Sequence, residues 1–139
     1  MSEEPPIKYG GVVKNSEDIA KLYRELQAKA IIPNEREACV AFLLDSEHSV
    51  TGVHVISIGT MNFSPVHPRE VFRPAIILPA KAIILAHNHP TDNCAPSESD
   101  KKITIRLRNS GDLLGIELLD HVIVGKTNHY SFSSSQGWS

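Results

Sequence analysis

The stretch that decides the fold and the chemistry of this 139-residue chain runs from Ala86 to Asp100 and reads AHNHPTDNCAPSESD. It places two histidines, His87 and His89, one residue apart, and it ends on an acid, Asp100. Neutral imidazoles and a carboxylate are good ligands for Zn²⁺, and a catalytic zinc takes three protein ligands so that a fourth position stays open. The sequence therefore predicts a zinc site formed by His87, His89 and Asp100.

The residues before the histidines predict how they are presented. Lys81 to Ala86 is a short apolar run rich in β-branched residues, which is typical of a buried strand. Side chains two apart on a strand share a face, so His87 and His89 are expected to point together while Asn88 points away.

The residues after the histidines predict a loop and then a helix. Pro90 has no N–H to donate to a strand ladder, so the strand is expected to stop before it. Ser97-Glu98-Ser99-Asp100 has the serine-x-x-acid pattern of a helix start. The loop is therefore expected to return Asp100 towards the histidines on the first turn of a helix.

Taken together, His87, His89, Ser97 and Asp100 resemble the JAMM motif of the JAB1/MPN metallopeptidases, written H-x-H, seven residues, S, two residues, D. The segments GTMNFSPVHPREVF (59–72) and LLGIELLDHVIVG (113–125) are similar to RadC, the bacterial branch of that family. The resemblance covers the chain from about Glu35 to Gly125. It implies an α/β domain of three layers, with a mixed β-sheet flanked by helices as in cytidine deaminases. It also implies a zinc-dependent metallopeptidase or isopeptidase with a link to DNA repair.

The family also uses a glutamate on or beside an early strand as general base. Glu37 lies directly before the buried-strand pattern of Ala38 to Leu44 and is our assignment. Glu70 lies in a predicted first helical turn, where the helix dipole alone explains an acid. Glu35 is the alternative if the register is shifted. The resemblance implies that Glu37 takes a proton from the zinc-activated water and delivers it to the leaving amine.

Ser97 has two interpretations that do not exclude each other. The family implies that it donates a hydrogen bond to the tetrahedral oxyanion, as oxyanion-hole donors do in other acyl hydrolases. Its position also predicts an ordinary helix N-cap.

Two other functions remain to be compared with a peptidase. The alternative is a non-catalytic protein-binding module for DNA repair or replication proteins that retains a structural metal. A zinc nucleobase deaminase fails on sequence, because the H-x-E and P-C-x-x-C signature is absent.

Length and composition predict one domain over residues 15–133, between a polar N-terminal segment, 1–14, and a C-terminal tail, 134–139. With 41% hydrophobic residues the chain can bury a core without disulfides, and its two cysteines, Cys39 and Cys94, do not make a disulfide framework. No apolar run is long enough for a membrane span, and the acidic start MSEEPP is unlike a signal peptide. We therefore expect a cytoplasmic protein.

The charge of the chain bears on its partners. A net charge of −2 argues against direct DNA binding, because proteins that grip nucleic acid neutralise phosphates with a basic surface. Lys101, Lys102, Arg106 and Arg108 are interpreted as a solvated helix face. The expected partner is a peptide or protein substrate, and the sequence makes no prediction of oligomeric state.

The rest of the pattern predicts the scaffold. The loop from Gly59 to His67, with Asn62 and Ser64, is a candidate for substrate contact and for control of access. His121 is interpreted as a satisfied strand histidine, with a place beside the metal site as the alternative. Helices are predicted at Asn15 to Ala30, Pro68 to Leu78 and Ser97 to about Ser110 (ending near Gly111), and strands at Ala38 to Leu44, Val50 to Ile58, Ile116 to Leu119, His121 to Val124 and His129 to Phe132, before a fraying tail.

Overall fold

The computed structural model describes residues 11–59 and 66–138, so Asn62, Ser64 and most of the N-terminal polar segment lie outside the described residues. The elements follow in chain order: α1 (Ser16–Ala28), β1 (Ala38–Leu44), β2 (Val50–Ile58), α2 (Pro68–Ile77), β3 (Ala82–Asn88), α3 (Glu98–Leu114), β4 (Glu117–Val124), β5 (His129–Ser131) and α4 (Phe132–Gln136).

The strands form one mixed sheet in the order β2-β1-β3-β4-β5. β1 pairs antiparallel with both β2 and β3, β3 pairs parallel with β4, and β4 pairs antiparallel with β5. The parallel pair needs a crossover, and α3 supplies it. The metal-site stretch, Ala86 to Asp100, is therefore the connection from the middle of the sheet into that crossover helix.

Helices cover both faces of the sheet. α1 packs on one face over Phe42, Leu44 and their neighbours. α2 and α3 pack on the other face over Leu43 and Leu85. Every residue of β1 is buried, which explains why it is an unbroken apolar run rather than an alternating one. The predicted three-layer α/β domain with a mixed sheet flanked by helices is confirmed. Within the described residues, no helix is both long and apolar enough to cross a bilayer.

The end of α3 corrects the sequence prediction. The helix does not end near Gly111 but continues to Leu114, and Gly115 caps it with a left-handed φ of 73°. A Cβ at Gly111 would lie 2.3 Å from the Ile116 carbonyl oxygen and 3.2 Å from the Phe72 ring. Gly111 is therefore required by close packing against the following chain and α2, not by a helix end.

We expect Gly111→Ala to destabilise the fold by about 1–3 kcal/mol, because the added methyl must displace backbone rather than a flexible side chain. Urea unfolding should show a lower midpoint with an unchanged slope. Asn109→Ala, on the exposed surface of the same helix, is the control and should leave the midpoint nearly unchanged. Equal midpoints for the two variants would show that Gly111 has no packing role.

β4 is one continuous strand, not the two predicted strands Ile116 to Leu119 and His121 to Val124. A register shift explains the misreading: Ile83 pairs with Leu118 but Ile84 pairs with Asp120, so Leu119 is an extra residue. The shift places His121 opposite Leu85. In an unbroken register it would lie opposite Ala86, on the α1 side of the sheet.

The C-terminal residues also differ from prediction. β5 ends at Ser131, and Phe132 begins α4 instead of ending a strand. The predicted fraying tail is thus partly helical, with the Ser131 hydroxyl accepting from the Ser134 N–H as its cap. Trp138 lies under the Arg108 guanidinium, 3.9 Å from the ring centroid, so it docks on α3.

Candidate metal centre

The two histidines of the H-x-H stretch lie at the end of β3 with their rings close together. β3 extends further than its apolar run and includes His87, which is fully buried, while His89 follows the strand and is partly exposed. The Nε2 atoms of the two rings lie 3.3 Å apart. The predicted shared direction of His87 and His89 is therefore what the structure shows.

The start of α3 brings the third residue to them. The Ser97 hydroxyl accepts from the Asp100 N–H at 3.0 Å, and the Asp100 carboxylate accepts from the Ser97 N–H at 2.8 Å, which makes a capping box. The same carboxylate faces the histidines, with Oδ1 3.3 Å from His87 Nε2 and Oδ2 3.5 Å from His89 Nε2. The helix cap thus fixes the acid in place as a candidate ligand.

These spacings fit a tetrahedral ion. Bonds of about 2.0–2.1 Å at tetrahedral angles hold two ligand atoms about 3.3 Å apart. The three distances among His87, His89 and Asp100 are 3.3, 3.3 and 3.5 Å. These residues form the metal-competent group found among residues 11–59 and 66–138.

Hydrogen bonds fix which ring nitrogen of His87 is available. The Thr104 hydroxyl donates its proton to the Asp100 carbonyl at 2.6 Å, so at 2.6 Å from His121 Nδ1 it must accept. A neutral His121 then has a lone pair on Nε2, which accepts from His87 Nδ1–H at 2.8 Å. The proton of His87 is thereby placed on Nδ1, and its Nε2 offers a lone pair towards Asp100.

His89 is oriented in the same sense. Its Nδ1 lies 2.8 Å from the Asn93 carbonyl oxygen, which can only accept, so Nδ1 carries a proton. In the neutral ring Nε2 is then the lone-pair nitrogen. Both histidines therefore direct Nε2 to one point beside the carboxylate.

The electrostatics of the site follow from burial and these contacts. Burial alone would raise the pKa of Asp100, but the hydrogen bonds that His87 and His89 donate in their protonated forms outweigh it and hold that pKa well below its usual range. The hydrogen bond to Asp100 raises the pKa of His89. Burial lowers the pKa of His121 well below its usual value, and His87 lowers it further, so His121 is neutral. The hydrogen bonds from His87 to His121 and from His121 to Thr104 require this neutral His121.

His121 and Thr104 are site residues that the sequence prediction undervalued. The sequence pattern does not single out Thr104, and for His121 it favours a satisfied strand histidine. The available signal was spacing: Thr104 lies one helical turn after Asp100, on the same face of α3. The register shift in β4, which a sequence pattern does not reveal, decided the direction of His121.

Thr104→Val should weaken zinc binding by about 10–100-fold, because the isosteric side chain cannot accept a hydrogen bond from His121 Nδ1. The proton of His87 is then no longer fixed on Nδ1. Competition with a chromophoric chelator measures this affinity. Thr104→Ser keeps the hydroxyl and is the matched control, expected to bind zinc almost as the unmodified protein does. Equal zinc affinities for the two variants would show that the Thr104 hydroxyl does not help to fix the proton of His87.

The three glutamates proposed for the base occupy different places. Glu37 is half-buried directly before β1, and its charge contributes, after the hydrogen bond to Asp100, to raising the pKa of His89. Glu35 is exposed and lines a cleft that also contains His89. Glu70, in the first turn of α2, lines a groove with Ser110 and Leu113 of α3, and none of the three candidate ligands lines that groove. The structure thus leaves Glu37 and Glu35 near the centre and places Glu70 away from it.

Ser97 and Cys94 flank the centre. Ser97 is exposed, and its hydroxyl accepts a cap hydrogen bond yet retains its own proton to donate. Cys94, in the loop between the histidines and α3, directs Sγ to Asn128 Oδ1 at 3.0 Å. Burial raises the pKa of the Cys94 thiol, which disfavours the thiolate that a metal would need.

A cleft of about 630 Å³ opens beside His89. Its walls come from the end of α1, the segment before β1 and the turn after β4. Arg24 braces that turn by donating to the carbonyls of Gly125 and Asn128 at 2.9–3.3 Å. The centre is therefore accessible from one side.

This combination defines a three-layer α/β protein with a His-His-Asp group that could hold a metal ion at the end of a central strand. A model of the RadC-like JAB domain matches residues 13–138. The chain belongs to this family.

The relatives carry names without an activity. A UPF0758 protein of Geobacter sulfurreducens is 48% identical over 100 residues, which cover 72% of this chain and 44% of the relative. One from Syntrophomonas wolfei is 40% identical over 123 residues, covering 88% and 52%. One from Pasteurella multocida is 38% identical over 130 residues, covering 94% and 56%. The chain thus spans about half the length of the curated relatives that it matches.

Proposed function

We propose that this protein is a zinc-dependent hydrolase that cleaves an amide bond, peptide or isopeptide, in a peptide or protein substrate. The observation that carries the proposal is a three-ligand group with tetrahedral spacings that borders an open cleft. Structural zinc sites are closed by four protein ligands, whereas catalytic sites keep one position for solvent and substrate. Membership of the RadC-like JAB family supports the same reading.

His87, His89 and Asp100 would hold the ion. Two imidazole nitrogens and one carboxylate oxygen suit zinc better than calcium or magnesium, which prefer oxygen ligands. A bound zinc ion supplies Lewis acidity, which acidifies water and polarises a carbonyl. The chain itself contributes the fixed proton positions on His87 and His89, which keep both Nε2 atoms available.

Glu37 is the proposed general base. It would accept a proton from the attacking water at a carboxylate oxygen and return it to the leaving amine nitrogen. Its negative charge helps to raise the pKa of His89, which supports a position of Glu37 next to the centre. Ser97 is the proposed oxyanion donor, because its hydroxyl proton is still available while its oxygen caps α3.

The substrate is proposed to be a protein and not DNA. On α3, Lys101, Lys102 and Arg106 are exposed, but Lys101 lies 3.3 Å from Glu98 and the chain as a whole is slightly acidic. A link to DNA repair would then act through a protein partner. The free thiols of Cys39 and Cys94 suit the reducing cytoplasm.

The test is hydrolysis of a mixed library of fluorescence-quenched peptides, supplemented with peptides whose scissile amide is formed by a lysine Nζ. Zinc-loaded protein should release fluorescence, and a chelator should stop it until zinc is restored. Protein that holds zinc but cleaves none of these amides would favour the non-catalytic binding module instead. Protein that never holds zinc would reject both.

A further inference from the structure

The residue between the two histidines has a structural role of its own. Asn88 is the last residue of β3, and its side chain is directed to the α1 face, away from His87. It is 2% exposed, and its polar atoms are therefore expected to be paired within the protein.

The Asn88 carboxamide contacts the chain on both sides of Glu37. Its Oδ1 accepts from the Ala38 N–H at 2.8 Å, and its Nδ2 donates to the Arg36 carbonyl at 3.1 Å. A backbone N–H can only donate and a carbonyl can only accept, so these two partners fix the orientation of the amide. A backbone hydrogen bond holds the same segment, because the Glu37 carbonyl accepts from the Gly59 N–H at 2.8 Å.

α1 supports this arrangement through Tyr23. Its hydroxyl lies 2.8 Å from Asn88 Oδ1 and 2.6 Å from the Ala38 carbonyl oxygen, so one proton is shared between two acceptors. Burial raises the pKa of Tyr23 far above its usual range, and the hydroxyl remains a donor. The Asn88 side chain is thus held from α1 while it holds the segment that contains Glu37.

We propose that Asn88 is a positioning residue, whose carboxamide couples the position of Glu37 to that of His87 and His89. The ligands and the base come from segments far apart in sequence. The pairing of β1 with β3 places Cys39 opposite His87, and the Asn88 side chain extends this connection to the residues on both sides of Glu37. An apolar residue here would leave the Ala38 N–H and the Arg36 carbonyl without this partner. The proposal rests on the proposed function only where it assigns Glu37 the role of base.

Amide hydrogen exchange of the zinc-loaded protein tests the structural part. In Asn88→Ala the amides of Ala38 and Gly59 should exchange at least about tenfold faster, because both hydrogen bonds between Asn88 and the Glu37 segment are lost. Asn109→Ala, on the exposed face of α3, is the matched control and should change neither amide. Unchanged exchange at both amides in Asn88→Ala would overturn the proposal. If Asn88→Ala does not fold, Tyr23→Phe removes the supporting hydroxyl and should accelerate the same two amides.

A double-mutant cycle on the quenched-peptide library tests the coupling to Glu37. Asn88→Ala should lower turnover at least about tenfold in the unmodified background, with zinc content unchanged, and should have almost no effect in the Glu37→Gln background. Equal losses of turnover in both backgrounds would mean that Asn88→Ala loosens the protein in general, and this would overturn the positioning role. If no variant or parent cleaves the library, the proposed function fails, and the exchange result still decides whether Asn88 holds this segment.

Discussion

His89→Ala is expected to abolish stable zinc binding. Two ligands remain in the variant, and the partly exposed position of His89 lets water replace the imidazole without restoring its basicity. Elemental analysis of protein purified without a metal-binding tag should show zinc falling from about one ion per chain to a small fraction of that. Hydrolysis of the peptide library should disappear with the metal.

The control for this variant is another histidine. His48 is exposed in the β1–β2 turn with a φ of 61°, a conformation that asparagine tolerates, so His48→Asn should keep both fold and zinc. Asp100→Asn is a second probe of the centre, because its amide oxygen still accepts from the Ser97 N–H and preserves the start of α3. Zinc retained at full occupancy in His89→Ala would mean that the ligand set differs from the one proposed.

The predicted strands and the observed ones agree best where burial alone decides. β1 and β2 were predicted with their observed bounds, because one is an unbroken apolar run and polar turn residues separate it from the other. Asp100 was predicted beside the histidines because a helix-start pattern and a strand end leave the loop little choice of direction. These features depend on residues close to one another in sequence.

The errors arose where distant residues decide. The sequence pattern predicts a helix end near Gly111, but the glycine is required because the Ile116 carbonyl and the Phe72 ring pack against it. The direction of His121 depends on one extra residue, Leu119, in the pairing of β3 with β4. Asn88 was expected only to point away from the site, and its partners around Glu37 come from a segment about fifty residues earlier. Such contacts are not visible in local periodicity.

Glu37→Gln is expected to separate catalysis from metal binding. The amide keeps the shape of the side chain but cannot take up a proton, so turnover of the peptide library should fall by about 10²–10⁴-fold. Zinc content should stay that of the unmodified protein, because Glu37 is not one of the three grouped ligands. The measurement is a paired assay of turnover and metal on the same preparation.

Two matched variants make this result specific. Glu70→Gln should leave turnover almost unchanged, since Glu70 lines a groove that contains none of the three candidate ligands. Glu35→Gln should have a small effect on substrate affinity at most, because Glu35 lines the open cleft and is exposed. A large loss of turnover in Glu35→Gln with none in Glu37→Gln would assign the base to the cleft wall. Asn88 would then hold a segment with no part in proton transfer, since its two backbone contacts lie on either side of Glu37 alone.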